Sequence, residues 1–180
     1  MRFFRKIVGE RLYLSPFNAD APESYTKWAE WMNERTVADG YGGYHNLVSL
    51  SSAKKTVAEL KDYRFDIVLL DGDELIGFAS LHDIDHRSRH AFIGIFIGEA
   101  AYRGKGYGAE AVRLILEYGF NALNLHNIAL SVHGDNLEAI RCYQKVGFKE
   151  AGRRRDWLFK NGQYVDVVYM DILAREFLRE

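Results

Sequence analysis

The chain has 180 residues, enough for one domain with a sizeable core, and its 48% hydrophobic and 14% aromatic content excludes an intrinsically disordered protein. A formal net charge of −1 gives no electrostatic case for binding nucleic acid or an anionic membrane. The single cysteine, Cys142, excludes an intramolecular disulfide and a cysteine-built metal site, and no metal is expected.

The opening stretch MRFFRKIVGERLYL holds no apolar run long enough for a signal peptide or a membrane span, so a cytoplasmic protein is expected. With no repeat and no linker, one domain over residues 1–180 is expected. Arg11–Leu14 reads as a first strand, stopped by Ser15-Pro16. Pro22 opens a helix to about Glu34, with Tyr25, Trp28, Ala29 and Met32 on one face. Thr36–Leu50 reads as a polar, glycine-rich loop, followed by a helix opened by Ser51 or Ser52 and carrying Val57, Ala58 and Leu60. Phe65–Leu70 and Leu75–Leu81 are strands joined by a hairpin at Asp71-Gly72-Asp73-Glu74. Asp83–Arg89 is a charged turn.

The stretch Ile93–Tyr118 is the centre of the chain. It begins as a β-branched and aromatic strand, Ile93–Ile97. It ends as a helix whose buried face carries Ala111, Leu114, Ile115 and Tyr118 at i, i+3, i+4, i+7. Between them lies Arg103-Gly104-Lys105-Gly106-Tyr107-Gly108. A strand feeding a glycine-rich loop that opens a helix suits a phosphate, because the first-turn N–H groups are unpaired and the helix dipole favours negative charge. Arg103 and Lys105 add two cations; the bland alternative is an ordinary glycine turn into a helix. The Walker loop fails on spacing and on Gly106, which stands where a hydroxyl would hold magnesium. Gly104, Gly106 and Ala109 fit a dinucleotide fingerprint, but Glu99–Arg103 intervene after the strand.

Beyond the helix, Ile128–Val132 reads as a strand, and Asn136 opens a second helix with Ala139, Ile140, Tyr143 and Val146 apolar, ended by Gly147. Arg153–Lys160 and Gln163–Ile172 form a hairpin around Asn161-Gly162. Antiparallel strands first, then strands separated by helices, indicate a mixed α/β sheet.

The segment R-x-x-G-x-G, carried by Arg103, Gly106 and Gly108, resembles the pyrophosphate loop of the GNAT N-acetyltransferases. Asn136, Ala139, Ile140, Tyr143, Gly147 and Phe148 resemble the same family's N-x-x-A-i-x-x-Y-x-k-x-G-F signature. The passages Gly119–His126 and Asn161–Asp166 look like its branch of ribosomal-protein-alanine and spermidine acetyltransferases. The resemblance covers nearly the whole chain. It implies a mostly antiparallel sheet of seven strands with flanking helices, splayed between strands 4 and 5 to admit the pantetheine arm of acetyl-CoA. It further implies that Arg103, Gly104, Lys105, Gly106, Tyr107, Gly108 and Ala109 hold the cofactor's diphosphate, and that Phe96, Ile97 and Gly98 form the strand edge along the pantetheine. One of those N–H groups would polarise the thioester carbonyl, and Asn136 would bond the cofactor from the facing strand end.

The reaction expected is acetyl transfer to a primary amine, a protein N-terminus or a small amine, by direct attack. Tyr143 is the expected catalytic residue, protonating the departing thiolate; core packing is its alternative reading. Cys142 is expected on another helix face as a buried thiol. His82, Glu99, His90 or a water chain are the candidates for the general base. A polyamine acceptor is the alternative, against which stand Ile93, where the spermidine enzymes carry a Glu, and the loop Thr36–Leu50, whose one acid is Asp39. Tyr41, Tyr44, Trp28 and Trp31 could line a pocket for a peptide N-terminus or a small amine, with core packing favoured for both tryptophans. A non-catalytic acyl-CoA sensor and a nicotinamide-dependent oxidoreductase complete the alternatives, and a homo-oligomer is left open.

Overall fold

Eight strands and six α-helices are found among the residues that the computed structural model describes, 3–18, 21–41, 46–59 and 63–178. The strands are β1 (Ile7–Val8), β2 (Leu12–Pro16), β3 (Tyr63–Leu69), β4 (Leu75–Asp85), β5 (His90–Ile97), β6 (Asn127–His133), β7 (Lys149–Lys160) and β8 (Gln163–Leu173). The helices are α1 (Pro22–Asn33), α2 (Arg35–Tyr41), α3 (Leu50–Glu59), α4 (Tyr107–Glu117), α5 (Leu137–Val146) and α6 (Ala174–Phe177). One sheet holds all eight strands in the order β1-β2-β3-β4-β5-β6-β8-β7. The strand beyond the expected seven is β1, two residues paired to Leu14 and Tyr13.

Every neighbouring pair is antiparallel except β5 with β6, which run parallel. A doubly wound parallel sheet, which a nicotinamide fold would need, is therefore not the architecture of the described residues. Two cores flank the sheet. On one face Ile115 and Leu116 of α4, each 0% exposed, pack with Leu12, Ile67, Ile76, Ile93 and Ile128. On the other, Trp28 and Trp31 of α1 pack with Tyr13, Val68 and Phe78. Full burial of such side chains stabilises by about 2 kcal/mol each.

Three expectations are corrected locally. The stretch from Thr36 is not all loop, because α2 occupies Arg35–Tyr41; Val37 and Ala38 are buried, and Arg35 pairs with Asp39 one turn on at 3.5 Å. The next helix begins earlier than Ser51: Ser52 N–H donates to Ser49 Oγ at 3.1 Å while Ser49 N–H donates to Ser52 Oγ at 2.9 Å. Ser49 is thus the N-cap in a reciprocal box. Pro16 does not stop β2 but is its last residue, paired with Phe65 and set beyond the reach of the short β1. Tyr44 and Leu60, and the side chains of Val57 and Ala58, lie outside the described residues.

Candidate active site

The parallel pair is where the sheet opens. Residues 90–92 of β5 pair with 127–129 of β6, and there the pairing ends. Ile93–Ile97 diverge from β6, and a cleft of about 1040 Å³ follows the divergence from the start of α4 to α5. Its mouth is the loop after β5.

Register decides which backbone groups face this cleft. The Gly98 N–H donates to Ile76 O of β4 at 2.9 Å. Successive residues of a strand turn their N–H and C=O groups to opposite sides, so Phe96 also faces β4, while Ile95 and Ile97 face the opening. Of the expected edge Phe96, Ile97 and Gly98, Ile97 alone offers its amide to the cleft, joined by Ile95. Gly98 serves the packing of α1, since a Cβ built there would lie 2.1 Å from Trp31 Cδ2.

The loop is shaped by two left-handed glycines, Gly104 at φ 70 and Gly106 at φ 85. Gly106 is the N-cap of α4 and has no side chain to cap it, so the first-turn amides are left directed at the mouth. Gly104, Gly106, Gly108 and Ala109 line the cleft. Arg103 also lines it, yet its guanidinium is committed to protein. Nε donates to Ile97 O at 2.9 Å, Nη1 to Thr36 Oγ1 at 2.9 Å, and Nη2 to Glu34 Oε2 at 3.2 Å and to Gly98 O. The hydrogen bonds from Thr36 and Arg103 hold the Glu34 carboxyl below its ordinary value. Arg103 therefore fastens α1 and α2 to the end of β5 rather than presenting a loose cation.

Lys105 and Tyr107 do not line the cleft. Lys105 is exposed, and its carbonyl accepts from Arg11 Nη1 at 3.0 Å. Tyr107 packs edge-on against Tyr102 and lies under the Arg11 guanidinium at 4.4 Å. Arg11, not singled out in the sequence, is anchored by Glu110 of α4, which accepts from Arg11 N at 2.8 Å and Arg11 Nε at 2.8 Å.

On the far wall Asn136 caps α5, its Oδ1 accepting from Ala139 N–H at 3.1 Å, which leaves its amide NH₂ for a ligand. Gly147 ends that helix at φ 109. Tyr143 is half-buried, lines the cleft, and meets Phe148 edge-on at 5.7 Å. Burial pushes its phenol well above the ordinary tyrosine value, with Cys142 and Tyr41 adding to the effect. Cys142 is half-buried and lines the cleft too, contrary to the expected buried thiol; burial raises its pKa, so the neutral thiol persists.

The candidate bases separate clearly. His82 lines the cleft, with Nδ1 3.0 Å from Asp83 Oδ2 and its ring over Phe92. Glu99 does not, and accepts from Lys27 Nζ at 2.8 Å and Trp31 Nε1 at 3.2 Å. His90 sits at the closed end of β5, opposite Asp85. Trp28 and Trp31 are core residues, 8% and 4% exposed, whereas Tyr41 reaches the cleft. Arg64, Trp157 and Tyr169 also line it, and periodicity carried no signal for them.

Residues 11–149 match the family described as the acetyltransferase (GNAT) domain. The spermidine N(1)-acetyltransferase of Escherichia coli (strain K12) is 36% identical over 138 residues, covering 76% of this chain and 73% of that protein. The protein named putative ribosomal N-acetyltransferase YdaF, of Bacillus subtilis (strain 168), is 36% identical over 61% of this chain and 59% of its own length. The alignment thus spans about three-fifths to three-quarters of these relatives. Among solved structures, spermidine N-acetyltransferase from Vibrio cholerae in complex with CoA and spermine superposes with a TM-score of 0.82 at 27% identity, covering 93% of this chain and 98% of that one. The split sheet, the uncapped helix entrance and the match over residues 11–149 agree, and the chain belongs to the GNAT N-acetyltransferases.

Proposed function

We propose that the cleft binds acetyl-CoA and that the chain moves its acetyl group to a primary amine. The carrying observation is that β5 parts from β6 at residue 93, directly upstream of the uncapped N-terminus of α4. The residues present fit the cosubstrate. Gly104, Gly106, Gly108 and Ala109 expose backbone amides without side chains in the way, which suits a diphosphate. Ile95 and Ile97 offer a free strand edge to an amide-rich arm, and the Asn136 amide NH₂ faces it from α5.

When bound, acetyl-CoA supplies the activated acetyl group as a thioester. An Ile95 or Ile97 N–H aimed at the thioester carbonyl would stabilise the charge that builds on its oxygen, an effect worth about 3 kcal/mol. The amine nitrogen forms the new C–N bond, the C–S bond breaks, and Tyr143 gives its phenolic proton to the leaving sulfur. The raised pKa supports that role by keeping the phenol protonated until the thiolate develops. His82, alone of the three candidate bases in lining the cleft, is placed to take the proton that the amine loses, directly or through water.

A polyamine acceptor is the second reading, favoured by the names of the Escherichia coli relative and of the spermine-bound neighbour. Release of free thiol from acetyl-CoA, run against small amines, spermidine, amino acids and short peptides, tests both. Amine-dependent release establishes the transfer. CoA binding without release for any acceptor favours an acyl-CoA sensor.

A further inference from the structure

The wall of the cleft beyond β6 is an open sheet face. In β6 Leu130 and Val132 belong to the core under α4, and in β8 Val168 and Met170 do. The residues between them, Ser131 and Tyr169, therefore point to the other face, where they stand directly opposite each other. Both line the cleft; Ser131 is exposed and Tyr169 half-buried. Next comes the edge strand β7, and there the ladder is broken. Arg154 pairs with Val167 and Leu158 with Val165, so Arg155, Asp156 and Trp157 stand against the single residue Asp166. A bulge of this kind re-aims a side chain. Asp156 takes a φ of 50 and its N–H donates to Asp166 Oδ1 at 3.0 Å, while Trp157 joins the cleft lining and stays 60% exposed.

Arg154 rests against both rings of this wall, its guanidinium carbon 4.6 Å from the centre of the Trp157 ring and 5.1 Å from that of Tyr169. Stacking uses the flat face of a guanidinium and leaves the N–H donors, which lie in its plane, for another partner. Among the described residues no carboxylate takes them. The acids of the wall are committed elsewhere. Asp166 Oδ2 accepts from Arg153 Nη1 at 3.3 Å, Glu150 pairs with Arg153 at 3.5 Å, Asp135 with Lys160 at 3.0 Å, and Asp171 accepts from Asn127 at 2.8 Å. Arg154 is thus an exposed cation steadied by two aromatic rings, with no counter-charge of its own among the described residues.

Distance selects what could supply that charge. Neighbouring strands lie about 4.8 Å apart, so β7 stands roughly 10 Å from β6, the edge at which the sheet opens. A free amino acid cannot span this, because its carboxylate sits on the carbon that bears its amine. An extended peptide advances about 3.3 Å per residue, so with its amine at the opening it brings its second or third side chain to Arg154. A polyammonium chain laid on the same wall would bring its far charge against a guanidinium.

We propose that the acceptor is the N-terminal segment of a polypeptide with an acidic side chain at its second or third position. It lies across β6 and β8, with its acid received by Arg154 and its apolar atoms by Trp157 and Tyr169. The inference rests on the acetyl-transfer reading above and names its substrate class. Arg154 is a specificity residue in it, too far from the opening to take part in the chemistry.

The test separates docking from transfer. Calorimetry on the CoA-loaded protein measures binding of the amidated peptides Ala-Glu-Ala-Ala and Ala-Ala-Glu-Ala against their Gln and Lys counterparts. Thiol release from acetyl-CoA is then measured with the same peptides and with spermidine. A Glu peptide should bind about ten-fold tighter than its Gln counterpart, the worth of one charge-assisted contact, with the Lys peptides weaker still. Spermidine should be the poorer acceptor. Arg154→Gln should bring the Glu-to-Gln ratio close to one, Arg154→Lys should restore part of it, and Trp157→Ala should lower it by freeing the guanidinium. CoA affinity and melting temperature confirm that the variants fold. Equal binding of Glu and Gln peptides, a ratio unmoved by Arg154→Gln, or better use of spermidine than of the Glu peptides overturns the assignment and leaves acetyl transfer standing. A Glu preference in binding that is lost in Arg154→Gln, with no thiol released by any acceptor, upholds the docking site and sinks the acetyl-transfer reading.

Discussion

The indole of Trp31 occupies the space that a side chain on Gly98 would need, with Cδ2 2.1 Å and Cε2 2.2 Å from the Cβ position. Trp31 is 4% exposed and its Nε1 donates to Glu99, so the ring has no easy retreat. Gly98→Ala should therefore push α1 off the end of β5 and destabilise the protein by roughly 2–3 kcal/mol. Urea unfolding measures it. A midpoint equal to that of the parent would show that the ring yields freely and that this contact does not fix the mouth of the cleft.

Tyr143→Phe keeps the ring contact with Phe148 and removes one proton. Turnover should fall at least ten-fold while CoA affinity stays within about two-fold, the pattern of an interaction made only as the sulfur leaves. Because burial raises the phenol's pKa above 10.0, Tyr143 stays protonated across the working range, and it should contribute no falling limb to the rate profile below about pH 9. Unaltered turnover in Tyr143→Phe would remove the phenol from the chemistry.

Gly106→Val acts on the loop itself. At φ 85 a β-branched residue is strained, and its Cβ would meet Arg11 Nη2 at 3.4 Å. The variant should weaken CoA binding ten-fold or more by titration calorimetry, with less effect on the acceptor's KM. Equal affinity would detach the loop from phosphate recognition.

What the sequence disclosed was local. Glycine spacing after an apolar strand marks the loop, and Asn136 three residues before Ala139 marks a capped helix; both are settled within one turn of chain. Gly98, Lys105 and Tyr107 belong to the same motifs but turn away from the cleft, since strand register and the packing of Arg11 decide their direction. Arg103 read as a cation for phosphate because its partners Glu34 and Thr36 are 69 and 67 residues distant in sequence. The helix α2 was hidden by Gly40 and by a short length, and burial of Val37 and Ala38 makes it stable where propensity does not. Arg64 enters the site only through a cross-strand row, which no single segment spells out.

Asp66, 2% exposed beneath α1, accepts a hydrogen bond from Ser24 Oγ at 2.7 Å, and burial raises its pKa from 3.8 to about 7. A folded pKa above the unfolded one means that the native state holds the extra proton. The stability it confers is present below pH 3.8 and is lost as the pH rises to about 7, by an amount on the order of 4 kcal/mol. Asp66→Asn keeps an acceptor for Ser24 and cannot ionise, so it should flatten the profile and be relatively more stable at pH 8 than at pH 4. Parallel profiles for parent and variant would show that Asp66 titrates as an ordinary surface acid.

Arg11 and Glu110 tie the first long strand to the helix that carries the phosphate loop. Glu110 is fixed by Arg11 N and Nε, and Arg11 in turn holds the Lys105 carbonyl. Burial opposes ionisation of Glu110, but the hydrogen bonds and charge of Arg11 win and the carboxyl lies below 4.5. A lowered folded pKa places its contribution above pH 4.5, to be lost as the pH falls through the folded value. Arg11→Met removes the guanidinium from over Tyr107 and releases Lys105, so CoA affinity should fall about three- to ten-fold, in line with one lost charge-assisted bond at roughly 1 kcal/mol. Glu110→Gln should weaken CoA to a similar degree at pH 5 and pH 8, because a carboxyl held below 4.5 is ionised at both. An Arg11→Met protein that binds CoA as the parent does would mean that the glycines alone hold the loop in shape, without the tether from β2.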